Sequence, residues 1–263
     1  MLARRAGVKH KGETMAQATT LDGMLDGRIL IAQPAKGYRA GLDAALLAAA
    51  VPAAASSILE AGCGAGAALI AAAARSPRAH LVGIEREEQM AELARSNVER
   101  NAMASRVAVI TADIAAGFSA LGLEAFEAAI ANPPFFDDEA RLRPPGREKR
   151  AAFIDEEGLA AWARLLCAAV GDGGSIILIH RADALLEILR ALEPRAGSFQ
   201  VRPIQPFAGA PAKRIVVRAA KGGRAPLRLL APLLLHSRGG EGHTSEAEAI
   251  LRGRARLEWA EGS

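Results

Sequence analysis

Short apolar runs alternate with longer alanine- and leucine-rich segments through most of the chain. The helical segments carry apolar residues at spacings of three and four, as Met90, Leu93, Ala94 and Val98 do in 87–101. Alternating strands and helices predict a parallel sheet with helices on both faces. The predicted strands are 56–59, 80–84, 107–111, 128–131 and 175–180, and the helices between and after them are 67–75, 87–101, 114–121, 156–170 and 182–192.

Segments outside this alternation complete the predicted fold. Residues 199–206 and 214–219 read as two antiparallel strands, the first of them edge-like because Pro203 lacks an N–H donor. The result is a seven-stranded, mostly parallel, doubly wound α/β sheet with an antiparallel C-terminal edge hairpin. We expect a disordered tail over 1–20, a single domain over 21–255 and a second tail over 256–263. Within the domain, 21–52 is predicted to form an N-terminal lid and helix.

A glycine-rich turn follows the first strand of the alternation. Residues 60–66 read E-A-G-C-G-A-G, and a helix of small residues begins directly after them. Glycines let the backbone approach a ligand closely, and a helix N-terminus offers free N–H groups and positive dipole charge. The motif alone is compatible with a dinucleotide, with S-adenosylmethionine, or with a tight turn that binds nothing.

Polar residues also follow the next three predicted strands. Glu85 ends the second, Asp113 follows the third, and Asn132 opens the sequence Asn-Pro-Pro-Phe after the fourth. Ligands of open α/β sheets bind beyond the carboxyl ends of the strands, so these residues and the glycine turn should share one rim. There Glu85 suits ribose hydroxyls. Asp113 suits an adenine amine, and it is equally suited to capping the helix that follows it.

The motif Asn132-Pro133-Pro134-Phe135 suits methylation of a planar nitrogen. An exocyclic amine or amide nitrogen is a poor nucleophile because its lone pair is delocalised. The Asn132 side-chain oxygen and the Pro133 carbonyl are two acceptors that could hold both N–H groups and expose that lone pair, while Phe135 stacks on the substrate. Catalysis then rests on positioning and electrostatics. The alternative is a turn that merely stops a strand.

Composition narrows the partners without selecting one. The chain has 263 residues, a net charge of +4 and a pI near 9.4, which permits an anionic partner such as nucleic acid. The basic residues of 1–20 and of the loop 141–150 are candidate RNA contacts, with solvated segments as the alternative. Two cysteines exclude a disulfide framework, and no Cys/His spacing predicts a metal site. We predict neither a signal peptide nor a membrane span, and expect a cytoplasmic protein.

Together these motifs resemble the class I S-adenosylmethionine-dependent methyltransferases of the amino-methylating group, which have a Rossmann-like fold. Residues 33–48, 212–219 and 243–250 further resemble the bacterial tRNA(Val) adenine-N6 methyltransferases. The resemblance implies S-adenosyl-L-methionine as cofactor, a tRNA as partner and no metal. It implies catalytic roles for Asn132, Pro133, Pro134 and Phe135. The cofactor-binding residues that it implies are Arg39, Glu60, Ala61, Gly62, Cys63, Gly64, Glu85, Arg86, Asp113, Ile114 and Asn132.

Departures from that family leave the substrate open. Glu60 stands where Asp is common, Phe135 where Tyr is frequent, and Gly41 where a residue with a side chain is frequent. Asn-Pro-Pro-aromatic motifs also serve glutamine methylation of release factors, guanine-N2 methylation of rRNA and adenine methylation of DNA.

Three further alternatives lie outside amino methylation. The first is a small-molecule O-methyltransferase. The second is an NAD-dependent oxidoreductase, for which His180 is the nearest candidate at a strand end. The third is a catalytically inactive RNA-binding scaffold.

Overall fold

The computed structural model describes residues 18–35, 41–134, 151–237 and 242–260, and the side chains of helix α4 from residue 158 onward. Its centre is a nine-stranded sheet in the order β10-β8-β9-β7-β6-β3-β4-β5, with β11 also paired to β8. The sheet's strands are β3 (Ser57–Ala61), β4 (His80–Glu85), β5 (Val107–Thr111), β6 (Phe126–Ala131), β7 (Val170–Arg181), β8 (Ala196–Gln205), β9 (Arg214–Lys221), β10 (Arg228–Leu229) and β11 (Leu233–Leu234).

Strand β9 is the one long strand of this sheet that runs antiparallel to its neighbours, β7 and β8. The pairs β3–β4, β3–β6, β4–β5 and β6–β7 are all parallel. The seven long strands and the antiparallel edge confirm the predicted fold class. The two extra strands have two residues each, and they pair with β8 on either side of Pro203, which has no N–H to donate there.

Helices cover both faces of the sheet, and a separate hairpin packs beside them. The hairpin consists of β1 (Thr19–Met24) and β2 (Ile29–Pro34). The helices are α1 (Leu42–Ala50), α2 (Ala67–Arg75), α3 (Glu88–Arg100), α4 (Ala151–Ala169), α5 (Leu185–Leu192) and α6 (Ser245–Leu251). One buried cluster unites α1, α2, α3 and α6 with the hairpin, and the other unites α4 and α5. Among the described residues, no helix has the length and apolarity needed to cross a bilayer.

Several element bounds differ from the sequence prediction. The first strand of the hairpin begins at Thr19, inside the segment predicted as a disordered tail. Helix α4 bends at Gly158, whose φ of 48° breaks the helical backbone. Residues 114–121 form two short 3-10 helices instead of an α-helix. The order of the seven long strands along the chain is nevertheless as predicted.

The segment 256–260, predicted as part of a tail, packs against the C-terminal end of α1. The Leu257 N–H donates to the Ala49 carbonyl at 2.9 Å, and the Trp259 indole N–H donates to the Ala50 carbonyl at 2.8 Å. The last carbonyls of a helix have no partner within the helix. These donors therefore cap α1 from outside it, and an apolar side chain, Leu257, is buried in the process.

Candidate active site

The sheet brings the predicted site residues to one rim because their strands are paired in parallel register. Ala61 at the end of β3 pairs with Ile84 of β4 on one side and with Ala131 of β6 on the other. The chain continues from β3 into Gly62 and from β6 into Asn132. The glycine turn and the start of the Asn-Pro-Pro sequence are therefore side by side.

Two glycines of the turn meet different surroundings. Gly62 has φ +64°, and a Cβ built on it would lie 2.4 Å from the Cη2 atom of Trp162 in α4. Gly64 has φ +54°, and the nearest atom to its added Cβ is Cε of Met90, 4.0 Å away. Gly62 thus faces the protein interior, whereas Gly64 faces open space that a ligand could approach. No local sequence pattern points to Trp162, because its contact with the turn is tertiary.

Gly62→Ala should destabilise the protein much more than Gly122→Ala. Gly122 has φ +63° and ψ 25°, an ordinary left-handed backbone, and nothing lies within 4 Å of an added Cβ, so its substitution carries the backbone cost alone, about 1–2 kcal/mol. At Gly62 the overlap with Trp162 adds about 1–3 kcal/mol. Chemical denaturation of both variants measures the difference in the free energy of unfolding. Equal losses would show that the Trp162 contact yields without cost.

Glu85 is held in place by backbone donors. Its Oε2 accepts the Gly64 N–H at 2.8 Å, and its Oε1 accepts the Glu87 N–H at 2.9 Å. The Cys63 N–H donates to the Ile84 carbonyl at 2.9 Å, which joins the turn to β4. The half-buried carboxylate of Glu85 is thereby oriented beside the turn. The neighbouring Arg86 is exposed on the same rim.

Glu60 lies under the turn and is 3% exposed. Burial raises the pKa of its carboxyl well above the ordinary value, while a backbone hydrogen bond from Leu69 in the first turn of α2 opposes that shift. Its Oε2 has no hydrogen-bond partner among the described residues. Burial also raises the pKa of the Cys63 thiol, so the thiol stays protonated and packs as a small apolar group.

Asp113 caps the short 3-10 helix that follows β5. Its Oδ1 accepts the Ala115 N–H at 2.9 Å, and the residue is exposed at the rim. The next residue, Ile114, is buried against α4. One oxygen of Asp113 thus caps the 3-10 helix. Because the side chain is exposed at the rim, its contact with an adenine amine stays a prediction.

The Asn-Pro-Pro sequence follows directly after β6, and its first two residues pack against the rest of the protein. Oδ1 of Asn132 is shielded from solvent, Pro133 is buried, and Pro134 is exposed. His180 near the end of β7 is 4% exposed, and its ring interacts with the backbone of Pro134. Burial lowers the pKa of His180, and this interaction partly opposes the shift. The imidazole is therefore neutral at pH 7 and lies beside the turn that carries Asn132.

Some sequence predictions lie outside the described residues. Arg39 and Phe135 are among them, as are the tail up to residue 17 and the basic loop 141–150. Asp43 in the first turn of α1 pairs with the guanidinium of Arg214 at 3.0 Å, which links α1 to β9. No group of three or more His, Cys, Asp or Glu side chains in the described ranges is arranged to hold a metal.

Comparison with known proteins places this geometry in a family. Residues 39–143 match the family model described as the methyltransferase small domain. A tRNA1(Val) (adenine(37)-N6)-methyltransferase of Porphyromonas gingivalis is 31% identical over 168 residues, which cover 60% of this chain and 64% of that protein. A release factor glutamine methyltransferase of Caulobacter vibrioides is 30% identical over 57% of this chain and 53% of its own. The chain thus spans about half to two thirds of these relatives.

One solved structure matches over nearly its whole length. It is the crystal structure of a predicted O-methyltransferase from Agrobacterium tumefaciens. That protein is 32% identical, with a TM-score of 0.67, and the match covers 82% of this chain and 98% of that one. The strand order, the glycine turn and this match agree. The chain belongs to the class I S-adenosylmethionine-dependent methyltransferases.

Proposed function

We propose that the protein is an S-adenosylmethionine-dependent N-methyltransferase that modifies N6 of an adenine in a tRNA. The observation that carries the proposal is the pairing of Ala61 with Ala131. That pairing puts Asn132-Pro133-Pro134 directly beside the glycine turn of a methyltransferase sheet. The tRNA1(Val) (adenine(37)-N6)-methyltransferase of Porphyromonas gingivalis supports the choice of adenine and of tRNA.

The residues at the rim fit the cofactor. Gly64 leaves room for close approach to the backbone, and Glu85 is already oriented to accept from ribose hydroxyls. The shielded Oε2 of Glu60 is an acceptor below the turn. Asp113 lies farther along the rim, where it suits the adenine amine. Arg39, Ala61, Cys63, Arg86 and Ile114 complete the proposed cofactor site.

The chemistry asks the protein mainly to position the target nitrogen. The cofactor supplies an electrophilic methyl group on sulfur. Asn132 Oδ1 and the Pro133 carbonyl each accept one N–H of the adenine amine, which turns the nitrogen lone pair toward that methyl. Pro134 adds no competing N–H, and Phe135 is proposed to stack on the base. No general base is required before transfer, because the ammonium product loses a proton readily.

The test is methyl transfer from labelled S-adenosylmethionine to bulk tRNA from cells that lack the modification. Digestion to nucleosides should yield labelled N6-methyladenosine. Label in N2-methylguanosine of rRNA, in glutamine of a release factor or in DNA would keep the amino-methyl mechanism and replace the substrate. No label on any of these would contradict N-methylation.

A second candidate is O-methylation of a small molecule, which the name of the Agrobacterium relative favours. The two candidates differ in what Asn132 does, since a hydroxyl substrate presents one proton and needs a base to remove it. Labelled transfer to a panel of phenols and catechols, with and without Mg²⁺, tests it directly. Transfer to the panel with none to RNA would select this candidate.

A further inference from the structure

Two asparagines four positions apart, Asn97 in α3 and Asn101 directly after its last residue, hold the free edge of strand β2. Asn101 Oδ1 accepts the Leu30 N–H at 2.9 Å, and its Nδ2 donates to the Leu30 carbonyl at 2.8 Å. Asn97 Oδ1 accepts the Ala32 N–H at 2.8 Å, and its Nδ2 donates to the Ala32 carbonyl at 2.8 Å. The spacing of four on the helix matches the spacing of two on the strand. The carboxamides thus act as a short additional strand beside β2.

Only one of the two asparagines reaches the cofactor turn. Asn97 is fully buried, and its Nδ2 makes a second bond, to the carbonyl of Ala65, at 2.9 Å. Asn101 uses its second Nδ2 bond on the Asn97 carbonyl of its own helix, at 2.8 Å. Ala65 lies between Gly64 and the start of α2. The Asn97 side chain therefore bonds both to the β1–β2 hairpin and to the turn.

The Asn97 bond and a backbone bond hold opposite ends of one peptide of the turn. Gly64 N–H is held by Glu85, and Gly66 N–H by the Cys63 carbonyl at 2.8 Å. The Ala65 carbonyl belongs to the same planar peptide as the Gly66 N–H, so the bond from Asn97 adds a second restraint on the orientation of that peptide plane. Such a restraint matters because the peptide joins Ala65 to Gly66, and the glycine allows rotation at little cost.

We propose that Asn97 is a positioning residue for the cofactor turn and makes the β1–β2 hairpin a brace for S-adenosylmethionine binding. The inference rests on the proposed function, which assigns the cofactor to that turn. The carboxamide of Asn97 bonds to both Ala32 and Ala65. Ordering of the turn and ordering of β2 are therefore coupled. Binding at one is then expected to stabilise the other.

The first test compares Asn97→Asp with Asn101→Asp. Each change keeps the acceptor for a β2 N–H and replaces the amide donor by an oxygen, but only Asn97→Asp removes the bond to Ala65. We expect the calorimetric Kd of S-adenosylhomocysteine to rise about 10-fold or more in Asn97→Asp and to stay within about 2-fold in Asn101→Asp. The KM for S-adenosylmethionine should follow the Kd, while kcat at saturation changes little.

A second measurement needs no variant and applies even where Asn97→Asp does not fold. Hydrogen exchange of the wild-type protein is followed at single amides with and without S-adenosylhomocysteine. We expect the ligand to slow exchange of the Ala32 N–H, which Asn97 accepts, more than exchange of the Leu30 N–H, which Asn101 accepts. Equal protection of the two amides, or equal Kd in the two variants, overturns the proposed role of Asn97 and leaves the proposed cofactor site standing. Absence of ligand binding by the wild-type protein overturns the proposed cofactor site together with it.

Discussion

Asn132→Ala should lower the rate of methyl transfer at saturating substrates by at least about 100-fold, the usual loss when one transition-state hydrogen-bonding group is removed. Asn132 follows Ala131, whose pairing with Ala61 brings it beside the glycine turn. Its side-chain oxygen is shielded from solvent, where a hydrogen bond to a reacting amine is stronger than in water. The measurement is single-turnover transfer of label to the RNA substrate.

The same variant should lose much less affinity for S-adenosylhomocysteine than rate of methyl transfer, because the proposed role of Asn132 in holding the target amine outweighs its contact with the cofactor. Affinity is measured by calorimetry and folding by the thermal midpoint. Asn132→Asp is the matched variant, since it keeps the size and one acceptor oxygen but adds a charge. Activity of Asn132→Ala within about 3-fold of the wild type would remove Asn132 from the mechanism. If Asn132→Ala both loses ligand binding and has a lower thermal midpoint, the role of Asn132 is structural instead.

Glu85→Gln should weaken S-adenosylhomocysteine binding by about 10- to 100-fold, because bonds to a charged acceptor contribute about 1.5–3 kcal/mol. Each Glu85 oxygen already accepts one backbone N–H, from Gly64 and from Glu87. Glutamine has one oxygen for these two donors, and its NH₂ group faces an N–H. The substitution therefore disturbs the turn as well as the ribose contact. Calorimetric Kd is the measurement.

Glu88→Gln is the control for that experiment. Glu88 lies three positions further on and pairs with Arg95 at 3.1 Å, with 61% of its side chain exposed. An exposed pair of this kind contributes about 0–1 kcal/mol, so the control should bind like the wild type. Equal affinities of the Glu85 and Glu88 variants would show that the carboxylate at Glu85 serves the fold and not the ligand.

Local patterns predict much of this structure because they are written in contiguous residues. The apolar run 128–131 and the prolines that follow predict both a buried strand and its end, and the structure has β6 as Phe126–Ala131. The glycine turn predicts the junction of β3 and α2 for the same reason. Parallel pairing then follows from the alternation of elements, which is why the rim that carries Glu85 and Asn132 could be expected.

Contacts between distant segments could not be predicted in this way. Asn97 sits on the buried stripe of α3, where an isolated sequence suggests only an interruption of the apolar face. Its partners Ala32 and Ala65 are 65 and 32 positions away. Trp162 is likewise an ordinary apolar helix residue until α4 packs on Gly62. Asp43 of α1 is bonded by the guanidinium of Arg214, which lies 171 positions away.

The capping of α1 by the segment 256–260 constrains the order in which the chain can fold. The Arg256 guanidinium donates to the Val51 carbonyl and the Trp259 indole to that of Ala50, across 205 and 209 positions. Closing a loop of that length is entropically costly, and such late contacts slow folding. During synthesis α1 emerges long before these capping donors, which follow 205 and 209 positions later. The Leu257 N–H, which donates to the Ala49 carbonyl, should therefore be among the last amides to become protected from solvent exchange as the chain folds.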